Sequence, residues 1–132
     1  MEIIKIKGTE DTPSVILDKG QNIFEISGRS LPEDVSMFYE PILSWIDEYA
    51  ESPNALTVFN FKLEYFNTAS SKVILDILLK FEDINEKGNK VVVKWHYRED
   101  EEDMLEAGEE YADIVEIPFE YVIYWFLLSC ID

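Results

Sequence analysis

The segment from Tyr65 to Lys72 brings several side-chain hydroxyls together where a strand is predicted to give way to a helix. Asn67 or Thr68 is placed to cap that helix, because a short polar side chain just before a helix accepts a backbone N–H. The free N–H groups and the positive end of the helix dipole also favour a phosphate at this position. The segment therefore predicts either a plain helix cap or a phosphorylation site, with Lys72 the basic residue nearest in sequence.

A second set of functional side chains lies between Glu99 and Glu110, where eight of the twelve residues are acidic. Carboxylates ligate divalent cations, but this segment lacks the Asp-x-Asp-x-Asp-Gly spacing of a calcium loop. One alternative is a small metal-dependent enzyme that uses Asp100, Asp103 and Glu106. The pattern favours a solvated acidic helix or a docking surface for a basic partner.

Other catalytic patterns are missing from the sequence. It holds one histidine, His96, and one cysteine, Cys130, in different segments, so a nucleophile with its base or a zinc cluster has no candidate residues. It also has no Gly-x-Ser-x-Gly, P-loop or Gly-x-Gly-x-x-Gly motif. We interpret His96 as a residue on the polar face of a strand and Cys130 as a bystander. We expect a protein with no catalytic residues, no cofactor and no bound metal.

Composition and charge narrow the class of protein further. The 132 residues are the size of one domain, residues 1–132, and 47% of them are hydrophobic, which is enough to bury a core. The net charge of -17 repels nucleic-acid phosphates and anionic lipid headgroups. The N-terminus shows no secretory pattern, and the longest apolar run, Tyr121 to Cys130, is too short to span a bilayer. We therefore expect a cytoplasmic domain that binds neither nucleic acid nor membrane.

The first half of the chain predicts short strands and then a helix. Glu2–Lys7 alternates as a strand does, and Ser14–Leu17 with Asn22–Ser27 predict a hairpin around a polar turn. A helix is expected to follow with Ser30 as its cap. Pro41 is expected to kink that helix or to divide it in two.

The second half predicts, in order, a strand, a helix, a strand, an acidic helix and a last strand: Leu56–Phe66, Ala69–Glu86, Lys90–Arg98, Glu99–Glu110 and Ile114–Ile117. In the first of these strands, Tyr65 falls on the apolar face and Lys62 on the polar face. Gly88 is expected to end the first helix. The segment from Pro118 to Leu128 is too uniformly apolar for its period to assign a structure.

The two clearest strands both alternate, so one face of the sheet is expected to be polar and uncovered. The order strand, helix, strand, helix, strand from residue 22 to 98 requires crossover connections. We therefore expect an α/β fold, a single two-layer sandwich with a mixed sheet and the helices mainly on one face.

Three segments together resemble the SiaC family of bacterial regulatory phosphoproteins. Gly28 to Asp34 is similar to the Gly-x-Ser-x-Pro-Glu start of the family's first helix. Tyr65 to Lys72 resembles its signature Tyr-Phe-Asn-Thr-Ser-Ser-Ser-Lys, with Ala69 in place of a serine. Trp95 to Met104, followed by Glu106 to Glu109, resembles its Trp-x-Tyr segment and acidic block. The resemblance covers residues 10 to 120.

The resemblance implies a cytoplasmic switch protein with a layout similar to STAS domains, and no enzyme activity. It implies that a cognate serine/threonine kinase phosphorylates Thr68 and that a metal-dependent phosphatase of the PP2C kind removes the phosphate. The unphosphorylated form would bind a downstream signalling protein, which in the family's known system is a diguanylate cyclase that controls biofilm formation. Around these segments we predict seven partner-binding residues: Asn67, Ser70, Ser71, Lys72, Glu99, Asp100 and Asp103.

A second interpretation is a constitutive interaction or scaffold domain that keeps the fold without the switch. Ala69 is the hint for it, because the substitution removes a hydroxyl next to Thr68. The apolar segment from Tyr121 to Leu128 is expected either to cover the core or to mediate a dimer.

Overall fold

The computed structural model describes residues 1–124, which form six strands and three helices. The strands are β1 (Ile4–Ile6), β2 (Ser14–Asp18), β3 (Ile23–Ser30), β4 (Leu56–Phe66), β5 (Lys90–Arg98) and β6 (Phe119–Tyr124). The helices are α1 (Val35–Tyr49), α2 (Thr68–Glu86) and α3 (Glu102–Ile114). Cys130 and the part of the apolar segment after Tyr124 lie outside the described residues.

The six strands form one mixed sheet in the order of the chain, β1 to β6. β1, β2 and β3 pair antiparallel, which confirms the predicted hairpin. β3, β4, β5 and β6 pair parallel, and each of the three helices connects two of these neighbouring strands. None of the helices within residues 1–124 is both long and apolar enough to cross a bilayer.

All three helices pack on the same face of the sheet, which confirms the two-layer sandwich. Each helix contacts that face through aromatic rings, with centroids 5.1 Å apart for Phe24 and Tyr49, 5.0 Å for Phe59 and Phe81, and 5.6 Å for Trp95 and Tyr111. The strand members of these pairs share one face because the parallel register places Phe24 beside Phe59 and Phe61 beside Trp95.

The first helix departs from the prediction at two residues. Ser30 is not its cap, because it ends β3 and is fully buried. Asp34 caps α1 instead, since its carboxylate accepts the N–H of Met37 at 3.0 Å. Pro41 lies inside α1 without dividing it. The carbonyl that loses its donor belongs to Met37, which is 72% exposed and therefore open to water.

The end of β4 also differs from its predicted alternation. The pairing of β3 with β4 shifts by one residue between Gly28 and Arg29, so that Arg29 lies beside Tyr65. The shift turns Tyr65 to the uncovered face, where it is 52% exposed, and turns Phe66 towards the core. The prediction that Tyr65 lies on the apolar face is wrong because one extra residue in a strand exchanges its two faces.

The C-terminal elements are partly as predicted. The acidic segment is helical from Glu102, while Glu99 and Asp100 form a turn before it. The predicted strand at Ile114–Ile117 is wrong, since Ile114 ends α3 and the last described strand begins at Phe119. The apolar pattern in that segment comes from a loop whose Val115 and Ile117 are buried against the core.

No helix within residues 1–124 covers the second face of the sheet, and His96 lies there as predicted. Its Nε2 is 2.9 Å from Oδ1 of Asn60. Next to it, Nζ of Lys62 forms an ion pair with Glu25 at 2.9 Å. Burial and the positive charges of Lys62 and Lys94 lower the pKa of His96 from 6.5 to about 4, against an opposite effect of Glu25.

Replacing Gly108 with alanine is expected to destabilise the fold. A Cβ at Gly108 would lie 2.5 Å from Cδ1 of Trp95. That indole is fully buried, and its Nε1 donates to the Met104 carbonyl at 2.8 Å. We expect Gly108→Ala to lower the free energy of unfolding by about 1–3 kcal/mol in urea titrations. Glu109→Ala, at the exposed neighbouring position, is the control and should stay within about 0.5 kcal/mol; equal stability of the two variants would contradict the packing.

The titration of His96 is expected to be displaced towards acid. Because the folded chain holds this imidazole neutral down to about pH 4, the unfolded chain binds a proton first as pH falls below 6.5. His96 therefore lowers the stability as pH falls from 6.5 to about 4. A proton NMR titration of this one imidazole should give a midpoint near 4, and Lys62→Gln should raise it. A midpoint at the ordinary 6.5 in the folded protein would disprove the assignment.

Candidate functional site

Thr68 is the first residue of α2, and its side chain is exposed. The helix begins there because Asn67 has an extended backbone and its side-chain oxygen accepts the Ser70 N–H at 2.8 Å. Of the two predicted caps, Asn67 and Thr68, the structure has Asn67. Since the cap uses Asn67 alone, the Thr68 hydroxyl stays at the surface, at the end of the helix where the dipole is positive.

The buried residue Ser30 fixes this strand-to-helix transition from below. Its carbonyl accepts the Asn67 N–H at 3.2 Å and the Ser70 hydroxyl at 3.0 Å. Its own hydroxyl donates to Ser70 Oγ at 2.8 Å, so the Tyr39 hydroxyl, 2.6 Å away, is left to donate to Ser30 Oγ. Burial raises the pKa of Tyr39, against a smaller opposite effect of the Ser30 hydrogen bond. The network thus stays protonated and connects β3, α1 and the start of α2.

The predicted partner-binding residues of this segment divide into buried and accessible ones. Ser70 is 0% exposed, so the prediction that it contacts a partner is wrong, because both its donor and its acceptor are used inside the fold. Ser71 is half-buried and donates to the Thr68 carbonyl at 2.6 Å. Lys72 is exposed one turn after Thr68.

A groove of about 240 Å³ lies between α2 and α3, beside the same segment. Its lining combines apolar side chains with two charged ones: Phe66, Ser71, Lys72, Leu75, Ala107, Glu110, Tyr111 and Ile114. A second depression of about 200 Å³ shares Phe66 and Ala107 with it. Phe66, two residues before Thr68, is therefore common to both openings.

Tyr111 holds the two helices that form this groove together. Its hydroxyl donates to the Ser71 carbonyl at 2.8 Å, which links α3 to the first turn of α2. Burial, with a smaller effect of the Glu110 carboxylate, raises the pKa of Tyr111, so the hydroxyl remains a donor. This hydrogen bond thus holds α2 and α3, the two sides of the groove, together.

The acidic residues predicted to bind a partner lie near the Thr68 segment. Because β4 and β5 are parallel, the residues that follow them are at the same edge of the sheet. Glu99 and Asp100 are exposed in the turn after β5, where Asp100 forms an ion pair with Arg98 at 3.2 Å. Asp103 is exposed in the first turn of α3 and lines the smaller depression.

Metal binding finds no support in the part of the chain that the structure describes. Between residues 1 and 124, no three side chains of histidine, cysteine, aspartate or glutamate converge as a metal site requires. The alternative enzyme that would use Asp100, Asp103 and Glu106 therefore lacks its centre there.

The sequence predicted the exposed residues of the site, but it did not predict the buried and half-buried side chains that support them. Ser30 was predicted to cap α1, whereas it contacts the start of α2. The contributions of Tyr39, Phe66 and Tyr111 were not predicted. Ser30 belongs to a segment that carried the family resemblance, and this was the one available signal. Its contact with Ser70 spans 40 residues of sequence, which no local pattern encodes.

The fold and the site define a class of regulatory domain, an α/β sandwich that presents a hydroxyl at the start of a helix beside an open groove. Residues 6–124 match the model of the SiaC family regulatory phosphoprotein, and the chain belongs to the SiaC family. An uncharacterized protein of Pseudomonas aeruginosa (strain UCBPP-PA14) is 28% identical over 119 residues, 90% of this chain and 94% of the relative.

Two solved structures from Pseudomonas aeruginosa share the fold. Apo-SiaC has a TM-score of 0.84 and 27% identity, and the match covers 92% of this chain and 99% of that chain. The second is the diguanylate cyclase SiaD in complex with its activator SiaC, with a TM-score of 0.87 and 26% identity over 92% of this chain and 99% of that chain. The resemblance seen in the sequence is therefore confirmed.

Ser70 and Ser71 offer a matched pair for testing the buried network. Ser70→Ala leaves the Ser30 hydroxyl without its acceptor in a buried site, so we expect a loss of about 1–3 kcal/mol in the free energy of unfolding. Ser71→Ala removes a half-buried hydroxyl from the adjacent position and should cost no more than about 0.5 kcal/mol. Urea denaturation of both variants measures the difference. Equal losses would mean that the hydroxyl network does not stabilise the start of α2.

Proposed function

We propose that this chain is a phosphorylation-regulated adaptor whose acceptor is Thr68. A cognate kinase adds the phosphate, a PP2C-like phosphatase removes it, and a downstream signalling protein binds mainly the unphosphorylated form. The observation that carries the proposal is the exposed Thr68 hydroxyl at the start of α2, which the surrounding hydrogen bonds hold in place without using it. Residues 1–132 act as one regulatory domain in the cytoplasm.

The comparisons support the downstream part of this proposal. The chain belongs to a family of regulatory phosphoproteins, and the solved relative SiaC is the activator of a diguanylate cyclase in their complex. A diguanylate cyclase is therefore the proposed class of partner. The chain itself has no proposed catalytic role.

The partner surface we propose is the groove between α2 and α3 together with its rim. Phe66 and Leu75 supply apolar contact area beside Thr68. The accessible members of the predicted set lie around it: Asn67, Ser71, Lys72, Glu99, Asp100 and Asp103. A partner that covers this groove must remove water from its edge, where Thr68 lies.

Phosphorylation would make that removal of water costly. A phosphate adds about -1.5 to -2 charges at one point of the edge. Lys72, one turn along α2, is the one cation in the groove lining, and the neighbouring α3 is acidic. A hydrated dianion left without adequate pairing costs several kcal/mol to desolvate. A loss of about 3 kcal/mol corresponds to a roughly 150-fold weaker affinity.

A constitutive scaffold is the second candidate, and the exposed Ala69 favours it because it replaces the serine of the family signature. In a scaffold the groove binds its partner whatever the state of Thr68. Thr68→Asp separates the two candidates in a pull-down of the downstream protein, since unchanged binding supports the scaffold and reduced binding supports the switch.

Incubation with ATP and the cognate kinase should add one phosphate to the chain, as measured by intact mass. Thr68→Ala should abolish the addition, because Thr68 is the proposed acceptor. Ser71→Ala is the control, since it removes a neighbouring hydroxyl and leaves Thr68 intact. A phosphate that persists in Thr68→Ala, or the absence of any addition to the unmodified chain, would contradict the proposal.

A further inference from the structure

Charge is divided unequally between the two layers of the sandwich. The three helices carry 13 carboxylates and only 2 lysines. The six strands carry 6 lysines and arginines and 4 carboxylates. A chain with a net charge of -17 thus has a helical layer that is strongly acidic and a sheet that is slightly cationic.

All six strand cations lie on the face of the sheet that no described helix covers. The pairing register places Lys5 and Lys94 in one row across the sheet, and Lys62 follows Asn60 by two residues on the same face. The other three share this face by the same alternation: Arg29, Lys90 and Arg98. We call this surface, with its half-buried Ile16, Val58, Val92 and Val122, the cationic sheet face.

Two cations at the centre of this face, Lys62 and Lys94, contribute to the lowered pKa of His96. After burial, the largest cause of its lowered pKa is the charge of Lys62, and Lys94 acts in the same direction. Glu25 opposes them without reversing the shift, although it pairs with Lys62 at 2.9 Å. Lys94 forms no ion pair with any residue between 1 and 124. The six cations of this face outnumber the four carboxylates of all the strands, one of which, Glu120, lies beside Lys94, so the face is cationic in sum although the chain is acidic.

We propose that the cationic sheet face is a second docking surface, which binds a partner protein through an acidic surface of that partner. Cations interspersed with half-buried valine and isoleucine side chains match a partner that presents carboxylates around an apolar strip. The face lies opposite the helices, so a protein bound there leaves the groove between α2 and α3 uncovered. The chain can in this way hold two proteins at once.

Charge complementarity favours an acidic patch on a partner protein over the other possible occupants, because such a patch does not require the whole partner to be negatively charged. A nucleic acid must bring its phosphates close to a chain whose net charge is -17, which opposes association at long range. A second copy of the chain carries the same net charge, so its approach is opposed at long range as well.

The test measures the affinity of the whole chain for the three partners whose identity rests on the proposed function: the kinase, the phosphatase and the cyclase. The variant is Lys62→Glu/Lys94→Glu. The control is Lys80→Glu/Lys87→Glu, which makes the same change in net charge on α2 and its end and also breaks surface ion pairs. We expect the affinity for at least one partner to fall about tenfold or more in the variant alone, with a smaller effect at high salt.

If charge reversal disturbs folding, a milder pair of variants keeps the comparison valid. The variant is then Lys62→Gln/Lys94→Gln, and its control is Lys80→Gln/Lys87→Gln. Equal affinities of the two pairs for every partner would overturn the proposal. Two other results would also overturn the proposal. One is salt-sensitive self-association, measured by sedimentation velocity, that is lost when Lys62 and Lys94 are changed. The other is DNA binding, measured by fluorescence anisotropy, that is lost in the same variants. Failure of the proposed function shows separately, as the absence of phosphate on Thr68 in the unmodified chain.

Discussion

The carbonyl of Ser30 is the point on which the geometry of the site depends. Ser30 is the last residue of β3. Its carbonyl accepts hydrogen bonds from the backbone N–H of Asn67, which caps α2, and from the hydroxyl of the buried Ser70 in the first turn of α2. Because these donors belong to a segment almost forty residues away, the tie can form only when β3 and β4 are paired. The Asn67 cap decides where α2 begins, and the contacts with Ser30 fix that start against β3.

Local patterns predicted most of the elements and narrowed the cap of α2 to two residues. The cap was predicted as Asn67 or Thr68, of which Asn67 is the one observed, because helix capping depends on residues that are neighbours in sequence. The errors arose where the deciding contact is distant or where one residue is inserted. Tyr65 changed faces because of a shift in the pairing of β4 with β3, and Ser30 was given a local role although its partner is Ser70. The prediction of Thr68 as the phosphate acceptor needed a chemical pattern and a family resemblance together, since a capping pattern alone also fits an ordinary helix.

The two layers of the sandwich offer different chemistry to other proteins. The helical layer has a largely apolar groove beside the acidic α3, and the hydroxyl proposed for modification lies one helical turn before two residues of its lining, Ser71 and Lys72. The opposite face is cationic, and burial together with the charges of Lys62 and Lys94 lowers the pKa of its one histidine. The domain thus has two surfaces of opposite charge, which suits the proposed role of an adaptor that binds other proteins.

The central claim is that a phosphate on Thr68 changes binding without changing the fold. Isothermal titration of the proposed diguanylate cyclase partner with unmodified chain and with fully phosphorylated chain tests it most directly, with circular dichroism to compare the two folds. We predict the same spectrum for both forms and an affinity at least tenfold weaker for the phosphorylated one. Equal affinities, or a weaker affinity accompanied by loss of the helical signal, would contradict the account.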